Sequence, residues 1–196
     1  VSACSTLIEE LEKAGATVVK VDLEELQLLR AAHLVTIVSE MVASQFRHFE
    51  EHLEKYSIET RCNLALGRRI ESSDYVHAQR YRARFRAQFA RVFENVDVLV
   101  TPATGTTAPR LQRDALDTGE SNLELTDRIM RFAPAANLLG LPALAMPAGY
   151  DRRGLPVSLQ VMGRPFEEHL LLKLASFAET LVERRKPTLL CDLLNG

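Results

Sequence analysis

The sequence predicts an α/β fold in which helices cover a mixed β-sheet. Three observations predict it. The chain opens as helix, glycine, strand, a unit common in such folds. Short β-branched or apolar runs (TVVKVD, VDVLVT, PVSLQVM) alternate with longer segments whose apolar residues recur at three and four. Late in the chain, Asp151-Arg152-Arg153-Gly154 separates two apolar runs, the pattern of an antiparallel hairpin.

Taken in order, Ser2 to Ala14 is an amphipathic helix carrying Leu7, Ile8 and Leu11, and Gly15 stops it. Thr17–Asp22 is a β-branched strand. Residues 23–56 are helical, with apolar patches at 33–42 and 46–53. Ser72-Ser73-Asp74 offers N-cap oxygens to a helix from Tyr75 to Glu94. Tyr81, Phe85, Phe89 and Phe93 lie four apart along one of its faces, the spacing of a core stripe. Val96–Thr101 is an almost unbroken apolar strand, expected to be central and buried on both sides. A long loop, 102–120, follows, and long loops in compact domains often carry function. A helix spans 123–139, interrupted at Pro134. The hairpin strands are Ala143–Pro147 and Pro156–Met162. A last helix takes Pro165 into its first turn and runs to about Arg184.

The chain has 196 residues, 46% hydrophobic and 26% charged, the values of one soluble globular domain. Its 24 Lys and Arg balance 26 Asp and Glu, which argues against a nucleic-acid partner despite Arg80, Arg82, Arg84, Arg86 and Arg91 on one helix. Those arginines read as the solvated faces opposite the aromatic stripe. The opening carries acidic residues where a signal peptide needs basic and apolar ones. Val1, rather than Met, at the start of a helical run suggests the later part of something longer. Cys4, Cys62 and Cys191 form no metal-ligand spacing and fit a reducing, intracellular compartment. His48-Phe49-Glu50-Glu51-His52 matches a zinc-peptidase pattern, but a third ligand is missing from it and its setting reads as a charged surface. No metal is expected.

A serine hydrolase needs glycines close to its nucleophile, because the backbone turns sharply there and supplies oxyanion N–H groups. None of the 9 glycines is adjacent to another, and neither G-x-S-x-G nor S-x-x-K occurs. Lys20 has no serine near it in a Gly-rich turn. The sequence therefore offers no catalytic residue.

From residue 97 onward the motifs become specific. Asp97-Val98-Leu99-Val100-Thr101-Pro102, Asn137-Leu138-Leu139-Gly140-Leu141-Pro142-Ala143, Pro147-Ala148-Gly149-Tyr150-Asp151 and the run 154–165 (GLPVSLQVMGRP) follow in order. This series resembles the C-terminal part of the amidase signature family. Within it, the chain resembles the plant-type fatty acid amide hydrolases. The narrower likeness lies in TPATGTTA at 101–108, Asp114-Ala115-Leu116, Gly119-Glu120-Ser121-Asn122, Met130-Arg131-Phe132 and the ending Lys186-Pro187…Asp192-Leu193-Leu194-Asn195. Before residue 90 it is weaker, with Arg30-Ala31-Ala32-His33 and Ser73-Asp74-Tyr75 fitting.

The resemblance implies the amidase signature fold, with residues 1–196 forming the C-terminal segment of one amidase domain and the remainder of that domain as partner. It implies cleavage of a fatty acyl amide substrate to fatty acid and amine, without metal or cofactor. The nucleophilic serine, bridging serine and lysine base of the family lie upstream, so none is carried onto this chain. By position, Thr101, Pro102, Ala103 and Thr104 after the strand, with Met130, Ala133 and Pro134 in the next helix, would line the acyl-binding region. Leu125, Ile129, Phe132 and Ala136 form that helix's core stripe, leaving Met130 and Pro134 exposed beside it. The resemblance also implies an intracellular place and leaves room for a homodimer and a peripheral endomembrane contact. The alternative is an inactive amidase-like scaffold or interaction subunit.

Overall fold

A computed structural model describes residues 2–110 and 122–185. The signatures at 114–116 and 119–121, the ending from Lys186 and Cys191 lie outside the described residues. Helix α1, Ser2–Lys13, buries Cys4, Leu7 and Leu11 along one stripe and ends at Gly15, whose φ of 105° suits a residue without Cβ. Helix α2, Leu26–Glu51, buries Leu29, Ala32, His33, Thr36 and Val38. It is long and apolar enough to match a membrane span, yet here it packs along α3, α4 and α6.

Helix α3, Ile58–Gly67, is an element that the sequence reading did not assign; Ser57 caps it by accepting the Thr60 N–H at 3.3 Å. Its last residue has no room for a side chain, because a Cβ at Gly67 would lie 2.5 Å from Val42 Cγ2. Helix α4 runs from Ser72 to Val92. Ser72, Ser73 and Asp74 are thus its first turn rather than its cap. Glu71 takes the cap position, and its N–H donates to Asp74 Oδ2 at 3.1 Å. The aromatic stripe is core: Phe85, Phe89 and Phe93 are buried and Tyr81 is half-buried.

Among the described residues, three strands form one sheet: β1, Leu99–Pro102; β2, Ala143–Tyr150; and β3, Pro156–Met162. The order is β1-β3-β2 and both pairings are antiparallel. The α/β class stands; among the described strands β3 is central and β1, expected there, is an outer strand of four residues. The hairpin is as predicted, with β2 three residues longer and bulged between Pro147 and Gly149.

Thr17–Asp22 is not a strand. β-branched residues favour extended backbone, but a strand also needs a partner, and no described strand pairs with this segment. Val18 and Val19 stand exposed while Val21 and Leu23 pack on the core. The predicted 123–139 helix is two: α5, Leu123–Ile129, and α6, Pro134–Leu139. Proline opens α6, where its missing N–H is not needed. Helix α7, Glu168–Leu181, begins after Pro165, because Phe166 has φ 68° and cannot belong to a right-handed helix.

Side chains alternate across β3, so its two faces meet different layers. Leu159 packs with α1 and α7 in one cluster (Leu7, Leu11, Met146, Ala175, Ala178). Met162 and, from β1, Leu99 pack with α2, α4 and α6 in the other (Leu29, Phe85, Phe89, Leu139).

Candidate functional site

Beyond β1 the chain turns away from the sheet and meets the corner between α5 and α6. A cleft of about 420 Å³ opens there, within the size range of small-molecule sites. Pro102, Thr104 and Gly105 form one wall, Arg131 and Phe132 another, and Tyr150, Ser158 and the start of α1 close it. Next to it, a small apolar cavity of about 60 Å³ is lined by Leu26, Leu29, Leu99, Thr101 and Met162. Arg131 and Phe132 line both spaces and so form the partition between them.

Three ties hold the corner against three elements. Arg30 of α2 pairs with Asp127 of α5. The Gly105 N–H donates to the Arg128 carbonyl at 3.0 Å. Gln160 of β3 donates to the Phe132 carbonyl at 3.3 Å and to Thr101 Oγ1 at 3.1 Å. Glycine is required at 105, since a Cβ there would lie 2.2 Å from the Arg128 oxygen and 3.3 Å from Arg131 Cβ.

The far end of the cleft is fixed by the hairpin turn. Asp151 Oδ1 accepts the N–H groups of Arg153 at 2.8 Å and Leu155 at 2.9 Å, and its Oδ2 accepts the Thr107 hydroxyl at 3.0 Å. Those donors, the Leu155 N–H first, hold its carboxyl down at about 2. Arg153 closes the knot by donating to Thr107 Oγ1 at 2.8 Å. Cys4 sits in the cleft wall with its Sγ 3.8 Å from the Ser158 carbonyl, and burial raises its thiol, so it remains protonated.

Of the residues named from the sequence, Pro102 and Thr104 line the cleft and Thr101 lines the apolar cavity. Ala103 extends the ladder past β1, its N–H donating to Ser158 O at 2.9 Å. Met130 ends α5, 37% exposed, and Ala133 is half-buried. Pro134, expected exposed, is buried, because the helix breaks before it and turns its ring inward. Met130, Ala133 and Pro134 line neither space; the flanked Arg131 and Phe132 do. Sequence reasoning missed these two and Gln160. The prior signals were the motif Met130-Arg131-Phe132 and a lone carboxamide inside the apolar run PVSLQVM.

His48 and His52 face each other at the end of α2 with ring centroids 6.1 Å apart, and Glu50 reaches toward Arg68 at 3.7 Å. No group of three metal-ligating side chains forms among the described residues. On α4, Arg84 pairs with Glu25 at 2.7 Å.

The fold and cleft define a helix-covered antiparallel sheet with an amphipathic cleft at one end. A solved amidase structure shares this architecture with a TM-score of 0.79 and 28% identity, over 93% of this chain and 42% of that one. The family model described as Amidase matches residues 2–172, and the chain belongs to the amidase family. It is 44% identical over 183 residues to a fatty acid amide hydrolase of Arabidopsis thaliana, covering 92% of this chain and 30% of that protein. It is 44% identical over 197 residues to a fatty acid amide hydrolase of Medicago truncatula, covering 98% and 32%. The chain thus spans about a third of the length of these curated relatives.

Proposed function

We propose that this chain is the C-terminal segment of an amidase domain that cleaves fatty N-acyl amides to fatty acid and amine, and that it supplies part of the acyl-binding wall. The observation that carries this reading is the 44% identity to plant fatty acid amide hydrolases over nearly the whole chain. The cleft is suited to the role: apolar side chains for an acyl tail lie behind a partition carrying polar groups for an amide head. In this reading the remainder of the domain supplies nucleophile, bridging serine and lysine. The nucleophile forms an acyl-enzyme, the amine leaves, and water releases the acid. The exposed Val18 and Val19 on an unpaired extended segment support a further strand from that remainder. A homodimer and an intracellular place peripheral to endomembranes belong to the same proposal.

The test is hydrolysis of acyl ethanolamides by the native protein, followed by fatty-acid release. The reading expects oleoylethanolamide to be cleaved with higher kcat/KM than acetylethanolamide. Preference for the short substrate would contradict the fatty-chain assignment, and no hydrolysis of either would contradict the amidase one.

A further inference from the structure

We propose that Gln160 is a positioning residue that sets the separation of the two cleft walls and thereby the preference for long acyl chains; this rests on the fatty-amide reading above. Gln160 occupies the central strand, opposite Thr101 on β1 and Ala145 on β2. Its flanking residues, Leu159 and Val161, are buried and apolar, and Gln160 itself is one of few polar residues in the interior. A carboxamide taken out of water there costs free energy unless its hydrogens find acceptors. Both do. One goes to Thr101 Oγ1 at 3.1 Å and the other to the Phe132 carbonyl at 3.3 Å.

Those two acceptors belong to different segments, β1 just before one cleft wall and the α5–α6 corner that forms the other. Thr101 is the third residue of β1 and leads directly into Pro102 and Thr104. Phe132 is the partition between the cleft and the apolar cavity. Its carbonyl precedes the residue that caps α6, so the helix ladder makes no use of it and leaves it to the glutamine. Among the described residues, Gln160 is the one side chain hydrogen-bonded both to Thr101, next to the first wall, and to Phe132 in the second. A planar amide with two donors on one nitrogen fixes both partners at once. A serine or threonine has a single O–H and would hold one wall only.

The consequence is mechanical. With the carboxamide in place, Phe132 is held at a set distance from Thr101, and the partition between cleft and apolar cavity keeps its position. Without it, the α5–α6 corner keeps its outer ties at Arg30 and Gly105 but loses the inner one. A long acyl chain that threads past Phe132 feels that change. A short chain that stops in the cleft does not.

The experiment uses the full-length protein carrying Gln160→Met, which keeps the volume and removes both donors, and Thr101→Val, which removes one acceptor. For Gln160→Met, kcat/KM for oleoylethanolamide is expected to fall by about tenfold, the scale of losing paired buried hydrogen bonds. The loss should appear in KM, with octanoylethanolamide changed less than threefold. Thr101→Val should move the same ratio in the same direction by less. Equal losses on both substrates, or a loss confined to kcat, would reduce Gln160 to a packing residue and overturn the proposal. Should Gln160→Met fail to fold, Thr101→Val carries the same comparison. Binding of cis-parinaric acid, a fluorescent fatty acid, separates this proposal from the amide reading. Weakened binding in Gln160→Met supports the positioning role even if no amide is cleaved, and unchanged binding overturns it even if amides are.

Discussion

The two faces of the sheet are built from the same strands but do different work. Toward α1 and α7 the contacts are small or aliphatic: Cys4, Leu7, Leu11, Met146, Ala148, Leu159, Ala175 and Ala178 close on one another with no aromatic member and no polar one except a thiol. Small side chains let the two helices lie close to the strands, and Cys4 at the start of α1 borders the cleft. Toward α2, α4 and α6 the core is aromatic, with Phe85, Phe89 and Phe93 bearing on Leu99 and Met162. The same face carries Thr101 and Gln160, and it opens at one end into the cleft. One face is a layer contact. The other is a packed core that grades into a site within two residues along β3. The lesson is that position on the strand decides role: Met162 is core, and Gln160, next on the same face, is where the cleft walls are fastened.

The largest expected effects test whether the two faces are separable. Phe85 and Leu159 are both 1% exposed, one on each face. Phe85→Ala should cost about 3–5 kcal/mol and Leu159→Ala about 2–5 kcal/mol, read by denaturant unfolding of the full-length protein. Milder truncations at the same places, Phe85→Leu and Leu159→Val, should leave the ratio of long-chain to short-chain kcat/KM unchanged. A ratio moved by Leu159→Val would show that the layer contact also shapes the cleft.

Gly105→Ala comes next. Its Cβ would fall 2.2 Å from the Arg128 oxygen, so the loop and α5 have to separate. Overpacking of this kind costs about 1–3 kcal/mol. Unlike the core variants, this one should also disturb acyl selectivity, because it moves Arg131 and Phe132. A destabilised variant with wild-type selectivity would detach the loop from the site.

A smaller effect distinguishes neighbours in sequence. Phe132→Ala should shift the long-to-short kcat/KM ratio more than Met130→Ala, since Phe132 lines both spaces and Met130 neither. The reverse order would return the acyl wall to Met130, where the sequence had placed it.

The smallest concerns His33, buried within α2, whose imidazole is pushed below its ordinary value by desolvation. The fold favours the neutral ring, so the unfolded state binds more protons below about pH 6.5, the unperturbed histidine value. Stability from this group is therefore full above that pH and declines as pH falls through the interval down to the lowered value. Replacing His33 by Leu should flatten the acid side of the stability profile between pH 7 and 5. An unaltered profile would assign that slope to other groups.

Much of this architecture is legible in the sequence, and its gaps have physical causes. Helices α1, α2 and α4 declare themselves through apolar spacing, and the four-spaced aromatics on α4 are core because a stripe that large has nowhere else to go. The hairpin turn is visible because Asp151 and Gly154 do local work within it. Thr17–Asp22 misleads because extended-chain preference is local and pairing is not. Helix α3 escapes because IETRCNLALG has a weak apolar stripe, its boundaries being set by the Ser57 cap and the close approach of Gly67 to α2. The cleft is partly legible: Pro102 and Thr104 on its wall, and Thr101 in the adjacent cavity, follow from the resemblance. The pairing of Gln160 with Phe132 and Thr101 does not, because it comes from hydrogen bonds across 28 and 59 residues of chain that no local pattern encodes.

The central claim is that these 196 residues shape the acyl site of an amidase domain whose catalytic residues lie elsewhere in that domain. Serine-directed fluorophosphonate labelling addresses it directly, applied in parallel to the purified 196-residue chain and to the native protein, with intact mass as the readout. The account predicts one phosphonyl adduct on the native protein, outside these residues, and none on the chain alone. A stoichiometric adduct on the isolated chain, accompanied by amide turnover, would contradict it.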